Sequence, residues 1–225
     1  IFLLNTLCTP DDSIMHLTLK SPLPGPSAQC EMAPISRVPS LLTNVPQKAM
    51  EAAVLALLFP ANEGRSRDEL MDWKVLLIRR NSYEGVHSGQ IAFPGGKREN
   101  GDKDYWATAC RETCEEVGIS GAYLEKVGAL TRIYVTASNF VIHPFVAVAK
   151  PGATVTADPR EVVDYRHIPI RAVAPAKAVS LNVECEAAKR PAPAWPYEGF
   201  TIRGATALML SVFYRVVDQG LLLRD

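Results

Sequence analysis

The stretch "FPGGKRENGDKDYWATACRETCEEVGI", residues 93–119, decides how the chain is read. It places a Gly-Gly pair, a polar run and a Glu-x-x-Glu-Glu cluster within 27 residues. The pattern predicts a helix over 104–117, with Gly118 placed to stop it. At about 100° per residue, Trp106, Cys110, Thr113, Cys114 and Val117 fall on one side and read as a buried stripe. Glu112, Glu115 and Glu116 fall together on the opposite side, close enough to repel one another. Glu115 and Glu116 also sit in the last turn, where the helix dipole disfavours negative charge. A Gly95-Gly96 turn upstream can bring backbone carbonyls close to these acids. Carboxylates gathered with carbonyl oxygen are hard ligands that suit Mg²⁺ or Mn²⁺, and a divalent ion relieves the repulsion.

Around this stretch lie 225 residues, 48% of them hydrophobic, enough for a sizeable core. Basic and acidic side chains balance at 24 each. That balance argues against a surface field for nucleic acid or membrane, so an anionic substrate needs a local device such as metal ions. No apolar run reaches the roughly 18 residues of a membrane span, and the opening "IFLL" is short for a secretion signal. Cys8, Cys30, Cys110, Cys114 and Cys185 are scattered without a CxxC. They read as buried, reduced thiols, which points to the cytoplasm.

Residues 1–45, with the Pro-rich "KSPLPGPSAQCEMAPISRVPS", read as an extended N-terminal arm or disordered tail; residues 46–225 read as the folded domain. "AAVLALLF" and "WKVLLIRR" predict two strands joined through a polar loop as a hairpin. Short strands follow at "GQIAF", "KVGALTRIYV", "FVIHPFVAVA", "EVVDYRHIPI" and "GFTI". The Pro/Ala-rich run from "APAKAV" to "KRPAPAWP" reads as a loop, and "GATALMLSVFYRVVDQ" as a C-terminal helix. Strands outnumber segregated helices, which implies an α+β fold with a mixed sheet between helices.

The residues of the opening stretch resemble the Nudix hydrolase signature. That signature runs Gly, five residues, Glu, seven residues, Arg-Glu, an aliphatic, any residue, Glu-Glu, any residue, Gly, an aliphatic. Gly96, Arg111-Glu112, Glu115-Glu116, Gly118 and Ile119 fit it. Asp102 stands at the first Glu, eight residues separate it from Arg111, and Thr113 replaces the aliphatic. The resemblance implies a Nudix-type α/β/α sandwich. It also implies a metal site of the Gly95 carbonyl, Glu112, Glu115 and Glu116, with Arg111 orienting a glutamate. "LLIRRNSYEGVHSGQIAFPGG", residues 76–96, resembles a motif upstream of the signature in coenzyme A pyrophosphatases. "YEGFTIRGATALML" resembles that subgroup's C-terminal segment, with Arg203 where a Trp is expected.

The resemblance implies metal-dependent cleavage of the diphosphate in coenzyme A or its acyl forms. Glu112, Glu115, Glu116 and Arg111 are the catalytic candidates. Arg80, His87, Ser88, Gln90 and Gly96 are the substrate-binding candidates. His143 and His167 read as structural, Glu161 as a turn residue rather than a fourth ligand, and Lys189 and Arg190 as a solvated loop. The partner implied is a small molecule, with no nucleic acid and no membrane, and a homodimer is compatible with the sequence. Another nucleoside diphosphate derivative, such as ADP-ribose or a dinucleotide, is the alternative substrate. A nucleotide-binding module without turnover is the alternative function, and intact Arg111-Glu112 and Glu115-Glu116 argue against it. No GxGxxG follows a strand and no Walker A loop is present.

Overall fold

A computed structural model describes residues 17–41, 45–64, 66–81, 89–185 and 188–224. The first strands are β1 (Leu17–Leu19), β2 (Met50–Phe59), β3 (Lys74–Arg80), β4 (Ile91–Ala92), β5 (Gly95–Lys97), β6 (Leu124–Ala129) and β7 (Ile133–Val135). There follow β8 (Phe140–Ala149), β9 (Val162–Pro169), β10 (Val179–Cys185), β11 (Ala188–Tyr197), β12 (Phe200–Ile202) and β13 (Leu222–Arg224). The α-helices are α1 (Pro26–Cys30), α2 (Val38–Leu41), α3 (Arg67–Asp72), α4 (Tyr105–Val117) and α5 (Gly204–Asp218). None of the described helices is long and apolar enough to cross a membrane.

Eight strands form the central sheet, in the order β4-β3-β2-β8-β6, with β5 on β2, β7 on β8 and β9 on β3. β2 and β8 run parallel from Met50↔Phe140 to Leu58↔Val148, while the other pairs are antiparallel. The sheet is therefore mixed, as the α+β reading expects. Strand side chains alternate between faces. Val54, Ala56 and Leu58 pack with Leu208, Val212 and Phe213 of α5. Ala53, Leu55 and Leu57 pack with Ala109 and Val117 of α4. β2 is thus covered on both faces, which is why it reads as a continuous apolar run rather than an alternating one. The result is three layers, helix on sheet on helix.

The two strands expected to form a hairpin do pair antiparallel, at Leu58↔Val75 and Phe59↔Lys74. Three other local readings are corrected. α3 occupies the stretch read as a loop, with Ser66 Oγ accepting from the Glu69 N–H at 3.2 Å as its N-cap. The Pro/Ala-rich run forms the β10–β11 hairpin instead of a loop. Pro191 and Pro193 alternate, so their missing donors fall along one strand edge; β12 reaches only Trp195 to Tyr197, so β11 tolerates them there.

The third correction concerns the arm. From Leu17 onward its described residues lie on the body. β1 pairs β13, Leu17↔Arg224 to Leu19↔Leu222. Met32 and Ala28 are buried in the cluster that holds α5, and Arg215 Nε meets Glu31 Oε1 at 2.9 Å. The cause lies in α5, where every residue from Thr206 to Phe213 is buried. A helix apolar nearly all round needs cover on more than its sheet side, and the N-terminal segment supplies it.

Candidate active site

α4 is capped at its start by Asp104, whose Oδ1 accepts the Ala107 N–H at 2.7 Å, and at its end by Gly118 in the left-handed conformation, φ 71°. Its inner face lies over β5, the stretch expected to be a Gly-Gly turn. β5 instead pairs with β2, Gly95 opposite Val54 and Gly96 opposite Ala53. Both glycines are needed for close approach. A β-carbon at Gly95 (φ +148°) would lie 2.4 Å from the Ala53 carbonyl oxygen, and one at Gly96 would lie 2.4 Å from Glu112 Oε2. With no side chain at Gly95 or Gly96, acids of α4 can reach the strand backbone.

Glu116 uses that space. Its side chain is 0% exposed, and its Oε2 accepts the Gly95 N–H at 2.8 Å. Arg80 Nη2 stands 2.8 Å from Glu116 Oε1 but out of line for a hydrogen bond, so Oε1 is buried without a donor. The same Nη2 donates to the Gly95 carbonyl. Burial pushes the Glu116 carboxyl up to about 7, an effect that Arg80 and the Gly95 N–H only partly offset. Glu112, with 14% of its side chain exposed, is also pushed up by burial while Arg111 pulls it down.

Arg111 organises the remaining acids. Its Nε and Nη2 donate to the two oxygens of Asp102 at 3.0 Å each. Its Nη1 lies 2.9 Å from both Glu112 Oε1 and Glu115 Oε2, and Nη2 reaches the Lys97 carbonyl at 3.1 Å. Asp102 also accepts from the Glu99 N–H at 2.9 Å and Thr108 Oγ1 at 3.0 Å. The Arg111 hydrogen bonds hold Asp102 far below the usual carboxylate range. Asp102 is therefore a positioning acid, and the extra residue between it and Arg111 is absorbed before the helix starts at Tyr105. Thr113, where an aliphatic was expected, is buried and turns its Oγ1 to the Ala109 carbonyl at 2.7 Å.

The expected buried stripe holds at Thr113 and Val117, with Trp106 and Cys110 half-buried against the core. The three acids differ in exposure: Glu116 is sealed in, Glu112 is nearly so, and Glu115 has 51% of its side chain exposed. The buried set of α4 is Thr108, Ala109, Thr113, Glu116 and Val117. Cys114, expected inside, is exposed, and Cys110 and Cys30 are half-buried. The reason is β5. Its two glycines let the helix turn Glu116 and Glu112 inward, which an apolarity wheel does not anticipate.

Among the described residues, no three His, Cys, Asp or Glu side chains form a ready-made metal cluster. Two guanidinium groups stand among the acids, Arg80 at Glu116 and Arg111 at Glu112 and Glu115. The donor set is nonetheless all hard oxygen, and the orphaned Oε1 of Glu116 is an acceptor that a cation would satisfy. These residues fit a divalent ion of the Mg²⁺ or Mn²⁺ class.

The remaining candidates divide. His87 and Ser88 lie outside the described residues, as do the side chains of Lys189 and Arg190. Gln90 is exposed, and its carbonyl accepts the Arg80 N–H at 3.0 Å. His143 meets Glu51 Oε2 at 2.7 Å and stacks on Tyr105 at 3.8 Å, and His167 packs edge-on to Phe59 at 4.4 Å. Glu161 holds a turn through its backbone, accepting the Asn81 N–H at 2.7 Å. Its charge nevertheless contributes to the raised pKa of Glu116, which places it within electrostatic reach of the site. Nothing in the sequence spacing signals that proximity.

Residues 51–185 match the NUDIX domain family. The chain belongs to the Nudix family. Among curated Nudix relatives, "Nudix hydrolase 15, mitochondrial" of Arabidopsis thaliana is 37% identical over 102 residues, 45% of this chain and 32% of that protein. The "uncharacterized Nudix hydrolase NudL" of Photorhabdus laumondii is 34% identical over 96 residues, 43% of this chain and 51% of that protein. The chain thus spans about a third to a half of the length of these two relatives. A NudL protein of Yersinia pestis is 30% identical over 137 residues, 60% of this chain and 68% of that protein. Among solved structures, a MutT/Nudix family protein from Enterococcus faecalis aligns with a TM-score of 0.47 at 18% identity, covering 86% of this chain and 73% of that one. A MutT protein from Methanosarcina mazei Go1 aligns with a TM-score of 0.46 at 16% identity, covering 78% and 98%. Likenesses this distant do not bear on the chemistry of the site.

Proposed function

We propose that this Nudix domain hydrolyses the diphosphate linkage of coenzyme A or acyl-CoA, giving 3′,5′-ADP and 4′-phosphopantetheine or its acyl form. The observation that carries the hydrolase reading is the buried, donor-less Oε1 of Glu116 beside the Gly95 carbonyl, with Glu112 in the space Gly96 leaves open. A divalent ion, Mg²⁺ or Mn²⁺, would be held by Glu116 with Glu112, Glu115 and the Gly95 carbonyl. When bound, it neutralises phosphate charge and makes a water acidic enough to attack.

The chain's own residues set the geometry. Gly95 N–H fixes the Glu116 carboxylate, and Arg111, braced by Asp102, holds Glu112 and Glu115 in place. Glu112 has its proton affinity raised by burial, which suits it to take a proton from the attacking water if it is not itself a ligand. Arg80 stands at the site edge with part of its side chain exposed, in reach of an anionic substrate.

The coenzyme A assignment draws on the motif of residues 76–96. Leu76, Leu77 and Phe93 of that motif are buried framework, which leaves Arg80 and the segment holding His87 and Ser88 to read the substrate. The division at residue 45 belongs to the same proposal, with residues 46–225 as the hydrolase domain. The test is a panel of coenzyme A, an acyl-CoA, ADP-ribose and a diadenosine polyphosphate with Mg²⁺ or Mn²⁺. Phosphopantetheine as a product supports the assignment, and AMP released from ADP-ribose with coenzyme A untouched overturns it.

A further inference from the structure

We propose that Arg80 is a built-in counter-cation of the carboxylate site, displaced when a divalent ion binds and then turned to the anionic substrate. The inference rests on the metal placement proposed above. One nitrogen, Arg80 Nη2, both donates to the Gly95 carbonyl and stands 2.8 Å from Glu116 Oε1. Those are two of the oxygens assigned to the ion, so guanidinium and metal compete for them. Apart from Arg80, the Glu116 carboxylate is served by one neutral donor among the described residues, the Gly95 N–H. A buried carboxylate needs a compensating charge, and Arg80 supplies it.

Two features suit Arg80 to leave as well as to stay. Its approach to Oε1 is misaligned, so the contact is charge neutralisation without a full hydrogen bond. It is also the last residue of β3, with 22% of its side chain exposed, and the ladder to β9 shifts register between Arg79 and Arg80. The guanidinium can swing outward without unpacking the core. A planar fork released from one anion is well made to take a phosphate. An ion binding alone leaves the displaced guanidinium without an anionic partner, whereas an ion binding with a diphosphate gives it a phosphate in exchange. Metal and substrate therefore bind with positive coupling.

The test is Mn²⁺ titration of the metal-stripped full chain, with free Mn²⁺ followed by its paramagnetic resonance signal, with and without methylenediphosphonate. Wild type is compared with Arg80→Gln, Arg80→Lys and Glu116→Gln. Arg80→Gln is expected to bind Mn²⁺ roughly tenfold more tightly than wild type without diphosphonate, and to lose most of the tightening that diphosphonate gives. A purely structural arginine would change affinity in the other direction. If Arg80→Gln does not fold, Arg80→Lys carries the test with the same sign, because a shorter point charge cannot hold both oxygens as the fork does. Equal or weaker Mn²⁺ binding in the folded Arg80 variant, with Glu116→Gln having lost it, overturns the counter-cation role and leaves the metal site standing. Unchanged binding in Glu116→Gln removes the metal placement itself.

Discussion

Replacing Gly96 with alanine separates the site from the fold. A β-carbon there would lie 2.4 Å from Glu112 Oε2 and 2.5 Å from Oε1, against an ordinary carbon–oxygen approach of about 3.3 Å. The carboxylate must retreat by about 1 Å, which also disturbs its 2.9 Å contact with Arg111. The obstructed atoms are the end of a flexible side chain, so the fold should lose only about 1 kcal/mol, or roughly 2–4 °C in Tm. Displacing a reacting group by that distance costs on the order of 100-fold in turnover. Gly95→Ala is the contrast. Its β-carbon would meet the Ala53 carbonyl oxygen at 2.4 Å and Val54 Cα at 2.5 Å, both backbone atoms of the central strand. That variant should lose about 3 kcal/mol or more, and its activity with it. Urea unfolding of both variants, paired with coenzyme A turnover in Mg²⁺, checks the pair. Full turnover in Gly96→Ala, or equal destabilisation of the two, would refute the argument that Gly96 exists to seat Glu112.

Further expectations concern the charges. Glu116 rises from 4.5 to about 7 on folding, so the native state holds a proton that the unfolded chain releases across that window. Stability of the metal-free protein should therefore fall as pH rises from about 4.5 to 7, by up to roughly 3 kcal/mol. His167, lowered by burial, works in the opposite direction below its ordinary value, so the quantity to measure is wild type minus Glu116→Gln. A difference that does not vary with pH would remove the burial argument for Glu116. Asp102→Asn keeps the size but loses the charge that braces Arg111. It should lower stability by about 1–3 kcal/mol and weaken Mn²⁺ binding through the loosened Glu112 and Glu115, as calorimetry would show.

What the sequence made legible follows from how local each signal is. β2, α4 and α5 are read correctly because an unbroken apolar run, a helical pattern stopped by Gly118, and a densely apolar helix each specify their element alone. β5 is missed because Gly95-Gly96 has turn composition, and only β2 beside it makes it a strand. The same miss hides the burial of Glu116 on α4, since its partner is a backbone N–H rather than an apolar surface. Arg111 and Glu112 are placed in the site by their spacing in the signature. Arg80, expected to face substrate, also meets Glu116, a contact between residues 36 positions apart that no local pattern carries. The docking of residues 17–41 is hidden for a related reason, because the apolar demand lies in α5 and not in the segment that meets it.

The measurement closest to the central claim is product analysis of coenzyme A incubated with purified wild type and Glu116→Gln, each with Mg²⁺ or Mn²⁺ and with a chelator. The account predicts 3′,5′-ADP and 4′-phosphopantetheine from wild type only when the ion is present. It predicts a loss of at least 100-fold in a folded Glu116→Gln, the order seen when a transition-state contact is removed. Hydrolysis that persists in chelator, or that survives the substitution unchanged, would contradict it.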